Sequence, residues 1–194
     1  MQEIVTHESA AENFRAMTAR VYALFAPPED ITVSQWAEKN RVMPKGTSSR
    51  PGPFRAEIFQ VELMNVVLDP RVRKVVFLKS TQIGFSDAVL NNIVGFYVDI
   101  APRTILLIQP TIQNASDYGK KRLTPMIQST PSLRAKIKDQ TSRRSGNTLL
   151  LKHFPGGFLK LTGANSGTGL RSDAINVCLL DEVDGWPLDV SGEG

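Results

Sequence analysis

The sequence predicts an α/β fold with a mostly parallel central sheet, preceded by a short helical segment. From Phe54 onward, stretches with helical spacing alternate with β-branched apolar runs, the order that parallel strands with crossover helices produce. Two of the apolar runs also end in residue types that meet phosphates and metal ions: "VVFLK" leads into "STQIGFS", and "INVCLL" leads into "DEVD".

The N-terminal part is read first. "HESAAENFRAMTARVYALFAPPED" places Ser9 and Glu12 in the spacing of a capping box and meets Pro27 and Pro28, which cannot continue a helix. A shorter helix is predicted around Ser34 to Asn40, with Trp36 on its packing face. "PKGTSSRPGPF" then reads as an exposed connection. The edge of the main domain is set near residue 44, giving residues 1–44 as the helical segment and linker and 45–194 as the α/β domain.

Within that domain, "FRAEIFQVELMNVVL" has helical spacing, "RKVVFLK" reads as a strand, and "FSDAVLNNIVGFYV" as a helix starting near Phe85. "RTILLIQP" is a strand and "NASDYGKKRLTPMIQ" a helix bent near Pro125. "NTLLLKHF" and "GFLKLTG", separated by Pro155 and Gly156, form a hairpin. "INVCLLDE" is the last strand, with Cys178 expected to be buried in it and inert. His153 reads as a strand residue and Trp186 as packing for the turn after the acidic pair.

Composition narrows the function classes. The 194 residues, 41% of them hydrophobic, suffice for one packed core. With one cysteine there is no intrachain disulfide, and with only His7 and His153 beside it a structural zinc site is not expected. The chain reads as intracellular. No apolar run approaches the roughly 18 residues that span a bilayer, and Glu3 and Glu8 stand where a secretory signal would be basic and then apolar. The net charge of +4 suits contact with phosphates without requiring it. The basic clusters at 119–123 and 142–146 are open to DNA contact or to a solvated role.

In an open α/β sheet, ligands collect beyond the carboxyl ends of the strands. There the first apolar run delivers Lys79, and residues 80–86 turn the chain into a helix. Backbone N–H groups at such a turn hold an anion without side chains. Gly84 allows close approach of a phosphate, and Ser86 offers a hydroxyl to magnesium. The position after the glycine, where a phosphate loop carries its lysine, is Phe85. Lys79, on its flexible stem, can supply the charge from the other end of the loop. At the second strand end, Asp181 is placed to orient magnesium and Glu182 to polarise an attacking water. The two halves together favour nucleotide hydrolysis over an ordinary strand-loop-helix unit.

These segments resemble the lambda-type large terminase subunit of tailed phages in its N-terminal ATPase region. The resemblance runs from "ITVSQWAEKNRVMP" to "LLDEVDGWP" and takes in "GPFRAEIFQVELMN", "VVFLKSTQIGFSDAVLN", "ILLIQPTIQNASDYGKKRLTPMI" and "LKLTGANSGTGLRSDAINVCLLDEVDGWP". It implies a P-loop NTPase of the additional-strand, RecA-like kind. It further implies ATP and Mg2+ as cofactors and hydrolysis that drives viral DNA into a capsid. The partners implied are double-stranded DNA, a small terminase subunit and the capsid portal, within an oligomeric motor in the cytoplasm of a bacterial host. A nuclease is implied in the full-length parent.

Carried over by position, Lys79 contacts the β and γ phosphates, and Ser80, Thr81, Gln82, Ile83, Gly84, Phe85 and Ser86 form the cradle. Ser86 and Asp181 hold magnesium, and Glu182 is the catalytic carboxylate. Phe54 and Gln60 stand where the family contacts adenine, and Asn165, Ser166 and Arg171 are open to sensing nucleotide, contacting DNA or shaping a loop. Asp87 departs from the lambda pattern, placing a negative charge beside the phosphates. The sequence ends 12 residues after Glu182 (194 less 182), so the expectation is a sheet truncated on its C-terminal side with an uncovered edge. A helicase-like DNA translocase and a non-catalytic nucleotide-binding or assembly module are the alternative readings.

Overall fold

The computed structural model describes residues 7–25, 29–46, 50–80, 83–138, 146–170 and 173–187. Two compact units divide the chain, 1–30 and 31–194. The first contains helix α1, His7–Phe25. It begins two residues before the expected cap, so Ser9 lies within the helix, while Pro27 and Pro28 fall outside the described residues.

The second unit opens with α2, Val33–Asn40, so the edge expected near residue 44 falls inside it. Thr32 starts this helix with a reciprocal cap: its Oγ1 accepts from the Gln35 N–H, and its own N–H donates to Gln35 Oε1. A short antiparallel pair follows, β1 (Val42–Met43) with β2 (Gly52–Pro53). Helix α3, Ile58–Asn65, starts later than its helical spacing predicts, because Glu57 and Gln60 form a capping box. Phe54, ahead of that cap, enters the core instead.

The largest departure from expectation is at "RKVVFLK". Among the described residues, 72–80 belong to no sheet, and Val76 and Leu78 are exposed. A strand exists only where a neighbour accepts its backbone hydrogen bonds, which apolar patterning alone does not provide. The chain becomes regular again at Phe85, where a wide turn, Ser86–Leu90, with hydrogen bonds to the fifth residue along, leads into α4, Asn91–Asp99.

Strand β3, Ile105–Gln109, follows, and then α5, Ile112–Tyr118. A second wide turn, Gly119–Leu123, joins α5 to α6, Thr124–Ser129. The irregularity expected at Pro125 thus sits in the turn before it, where the proline ring would crowd the carbonyl of Lys121. After α7, Pro131–Lys136, the hairpin forms as predicted: β4, Leu151–Phe154, returns antiparallel through Pro155 and Gly156 into β5, Gly157–Gly163. Gly156 has φ +87°, the conformation that a Pro-Gly turn requires. A single turn, α8 (Gly167–Leu170), precedes β6, Val177–Leu180.

The sheet order is β4-β5-β3-β6, with β3 parallel to both β5 and β6. All five β3 residues are buried, as a central strand requires. Ile105 and Leu107 face the main core with Leu159, Leu161 and Leu179, whereas Leu106 and Ile108 face a smaller cluster with Ala164. β6 is an edge strand, as is β4, and the expected burial of Cys178 is overturned: it is exposed. Partial burial nonetheless pushes the Cys178 thiol pKa up.

α2 and α4 approach most tightly at Trp36 and Gly95. A Cβ on Gly95 would lie 2.0 Å from Trp36 Cη2, so only glycine lets the buried indole reach the α4 backbone. The ring is anchored by Trp36 Nε1 donating to Asp99 Oδ2 at 2.8 Å, and Lys136 Nζ pairs with the other Asp99 oxygen at 2.8 Å. Gly95→Ala is expected to lower stability by about 1–3 kcal/mol through overpacking. Chemical denaturation checks this, and pairing the change with Trp36→Leu should recover part of the loss.

Candidate functional site

The two polar segments singled out in the sequence meet through one side-chain contact. Ser86 Oγ donates to Asp181 Oδ2 at 2.7 Å across 95 residues of sequence. Ser86 is held by the wide turn that opens the loop helix, and Asp181 directly follows β6, where its N–H donates to the Ile108 carbonyl of β3. Gln109, the last residue of β3, donates from Nε2 to the same Asp181 oxygen at 3.3 Å. Asp181 is buried, and its Oδ1 has no hydrogen-bond partner among the described atoms.

A buried carboxylate oxygen without a partner carries a desolvation cost, and a cation removes it. Ser86 and Asp181 therefore fit a magnesium ion, which takes one or two protein oxygens and completes its shell with phosphates and water. Among the described residues, no group of three or more His, Cys, Asp and Glu side chains converges as a self-contained metal cage.

Glu182 adopts φ +50° and ψ +47°, the left-handed region that a side chain rarely enters. Its exposed side chain lines a cleft of about 150 Å3 together with Gln109, Tyr118, Lys121 and Arg122. This backbone conformation ends the extended run of β6 and leads into the short turn Val183–Gly185. Trp186 Nε1 donates to the Asp181 carbonyl at 3.0 Å, closing the turn after the acidic pair as its sequence position suggests. A larger cavity, about 310 Å3, lies between α6, α7 and β4; it shares no lining residue with these strand ends.

At the loop itself, Gly84 has φ +73°, and a Cβ there would meet no atom, so the backbone angle rather than space calls for glycine. Its carbonyl accepts from the Ala88 N–H at 2.8 Å, closing the first turn. Phe85 is buried and stacks with Phe77 at a centroid distance of 5.3 Å. Lys79 Nζ lies 5.8 Å from the centroid of the Phe85 ring. The aromatic after the glycine thus fills the core while its ring draws the ammonium back toward the helix start. Ile83 packs against the main core and Ser80 is exposed, whereas Thr81 and Gln82 lie outside the described residues.

The remaining sequence candidates take up structural contacts. Phe54 is a core residue, and Gln60 Oε1 accepts from the Glu57 N–H in the cap of α3. Asn165 Oδ1 accepts from the Ile112 N–H at the start of α5, and Ser166 Oγ accepts from the Gly169 N–H. Arg171 lies outside the described residues, as does the basic cluster at 142–146 except for Gly146. Lys120, Lys121 and Arg122 are exposed on the second wide turn.

Sequence reading missed the polar groups behind Ser86. Asp87 Oδ1 accepts from Arg41 Nη2 at 2.9 Å and from Asn91 Nδ2 at 2.8 Å. Arg41 is almost wholly buried, and burial pulls its pKa down while the Asp87 carboxylate pushes it back up. Asn91 Oδ1 in turn accepts from the Tyr118 hydroxyl at 2.7 Å, with the Ser86 carbonyl a longer second acceptor at 3.3 Å. The negative charge of Asp87 is therefore compensated within the protein. An Asp and an Asn four residues apart on one helix face were the only sequence signal for this arrangement.

Comparison with known proteins gives the family. The family model for the phage terminase large subunit gpA, ATPase domain, matches residues 48–194. The large terminase subunit of Enterobacteria phage P21 is 31% identical over 169 residues, which is 86% of this chain and 26% of that protein. The large terminase subunit of Escherichia phage lambda is 28% identical over the same shares. This chain thus spans about a quarter of the length of these relatives. The crystal structure of the HK97 bacteriophage large terminase matches with a TM-score of 0.57 at 15% identity, covering 77% of this chain and 31% of that one. That likeness shows a shared α/β fold. By the extent of the family match, the chain belongs to the phage terminase large subunits, of which it carries the ATPase domain.

Proposed function

We propose that this domain binds ATP with magnesium at the Lys79 loop and hydrolyses it. In the whole protein, we propose, this reaction drives viral DNA into a capsid. The observation that carries the reading is the 2.7 Å bond from Ser86 to a buried Asp181 whose second oxygen has no partner. Two oxygens suited to a hard cation are thereby held together at the start of a helix, beside the strained Glu182.

In this reading Lys79 leaves the Phe85 ring to contact the β and γ phosphates, and the backbone of residues 80–86 supplies the N–H cradle. Ser86 and Asp181 would hold magnesium, which neutralises charge on the phosphate oxygens when bound. Gln109 keeps Asp181 oriented, and Glu182 accepts hydrogen bonds from a water in the adjoining cleft and aligns it for attack. Double-stranded DNA, a small terminase subunit and the portal are the proposed partners of the parent protein, acting in an oligomeric motor in the host cytoplasm. Among the described residues, no helix is long and apolar enough to cross a membrane.

Read by sequence alone, Phe85 and Asp87 favour the alternative of a non-catalytic module. Phe85 has a packing role and Asp87 is paired with Arg41, so neither argues against turnover. Lys79→Ala should weaken binding of a fluorescent ATP analogue about tenfold or more in magnesium, because a charge-assisted contact is lost. Undiminished affinity would remove Lys79 from the site. Glu182→Gln in the full-length parent should retain nucleotide binding and lower phosphate release by about 100-fold or more. Normal release would assign the water-activating role to another group.

A further inference from the structure

The geometry points to Tyr118 as a positioning residue for the Ser86–Asp181 pair, anchored through Asn91 and Asp87 to Arg41. This inference rests on the nucleotide reading above and adds to it the groups that aim its metal-holding oxygens.

Packing alone would be satisfied by phenylalanine at position 118; the hydroxyl needs a reason. A buried O–H is costly unless bonded, and this one meets two acceptors on the loop helix, Asn91 Oδ1 and the Ser86 carbonyl. The same Ser86 carbonyl also accepts the Asn91 N–H, closing the wide turn. Ser86 is thus held by its backbone from one side while its hydroxyl faces Asp181 on the other. The two contacts involve different atoms of one short residue, so a shift of the carbonyl carries the hydroxyl with it.

Donor and acceptor roles converge on Asp87, which accepts from both of its neighbours in the set. Arg41 and Asn91 Nδ2 donate to Asp87, which turns Asn91 Oδ1 toward Tyr118, which must then donate. Burial, followed by the nearby Asp181 and Asp87 charges, pushes the Tyr118 pKa up, so the phenol keeps the proton it donates. The relay begins at Arg41, immediately after α2, and ends at the acidic edge of the sheet. Because residues 72–80 are in no sheet, these contacts supply registration between the loop helix and β6 that strand pairing does not.

The test compares Tyr118→Phe with the unmodified chain in fluorescent ATP-analogue binding, titrated with magnesium and repeated in EDTA. The magnesium concentration for half-maximal enhancement should rise about tenfold, with affinity in EDTA unchanged. Ile127→Val, a core change away from the relay, should lower the melting temperature without moving that concentration. Arg41→Met combined with Asp87→Leu, which removes both charges at once, should shift it in the same direction as Tyr118→Phe. An unchanged magnesium requirement in Tyr118→Phe, or equal losses with and without magnesium, overturns the proposal. If the unmodified chain binds no nucleotide, the nucleotide reading falls and manganese binding followed by EPR decides the relay alone. Tenfold weaker manganese binding in Tyr118→Phe then supports it; equal binding, or none by the unmodified chain, overturns it.

Discussion

A hydrogen bond from the Ser86 hydroxyl to Asp181 ties the loop helix to the sheet edge. In a sheet-borne phosphate loop this registration comes from the strand that leads into it. Here the leading residues, 72–80, pair with no strand among the described residues, so the link rests on side chains. A hydrogen bond to a charged group contributes about 1.5–3 kcal/mol, modest for a contact on which the alignment of the two segments depends. Its surroundings reinforce it: Gln109 shares the same carboxylate oxygen, and β3, buried on both faces, fixes where Gln109 stands.

The pair of buried Arg41 with half-buried Asp87 belongs to the same constraint. Taking the Arg41 charge out of water is expensive, and such a charge persists where a partner compensates it. What the pair supplies here is direction. It orients the Asn91 amide, and through it the Tyr118 hydroxyl, at the turn that carries Ser86. An acidic residue beside a phosphate site looks unfavourable when charge is counted along the chain; its neighbours in space decide otherwise.

Local chemistry was legible in the sequence wherever a segment carries its own instruction. Pro155-Gly156 specifies its turn, Phe85 starts the loop helix as expected, and the apolar run 105–108 becomes the central strand. Asp181 and Glu182 fall directly after β6, where the pattern put them. Properties that depend on a neighbour were not legible. "KVVFLK" has strand composition but no strand partner among the described residues, and Cys178 has a core-like setting in sequence but lies on an edge strand. Arg41, Asn91 and Tyr118 each resemble an ordinary surface or core residue, because a relay assembled from four parts of the chain leaves no spacing to read.

The most direct test of the nucleotide site is diffraction from crystals of the domain grown with manganese and a slowly hydrolysed ATP analogue, with the metal located by its anomalous signal. The account predicts manganese bound by Ser86 and Asp181, the phosphates on the loop backbone, and Lys79 moved from Phe85 onto them. Manganese and nucleotide bound elsewhere, with Ser86 still donating to Asp181 and Lys79 still over Phe85, would contradict it.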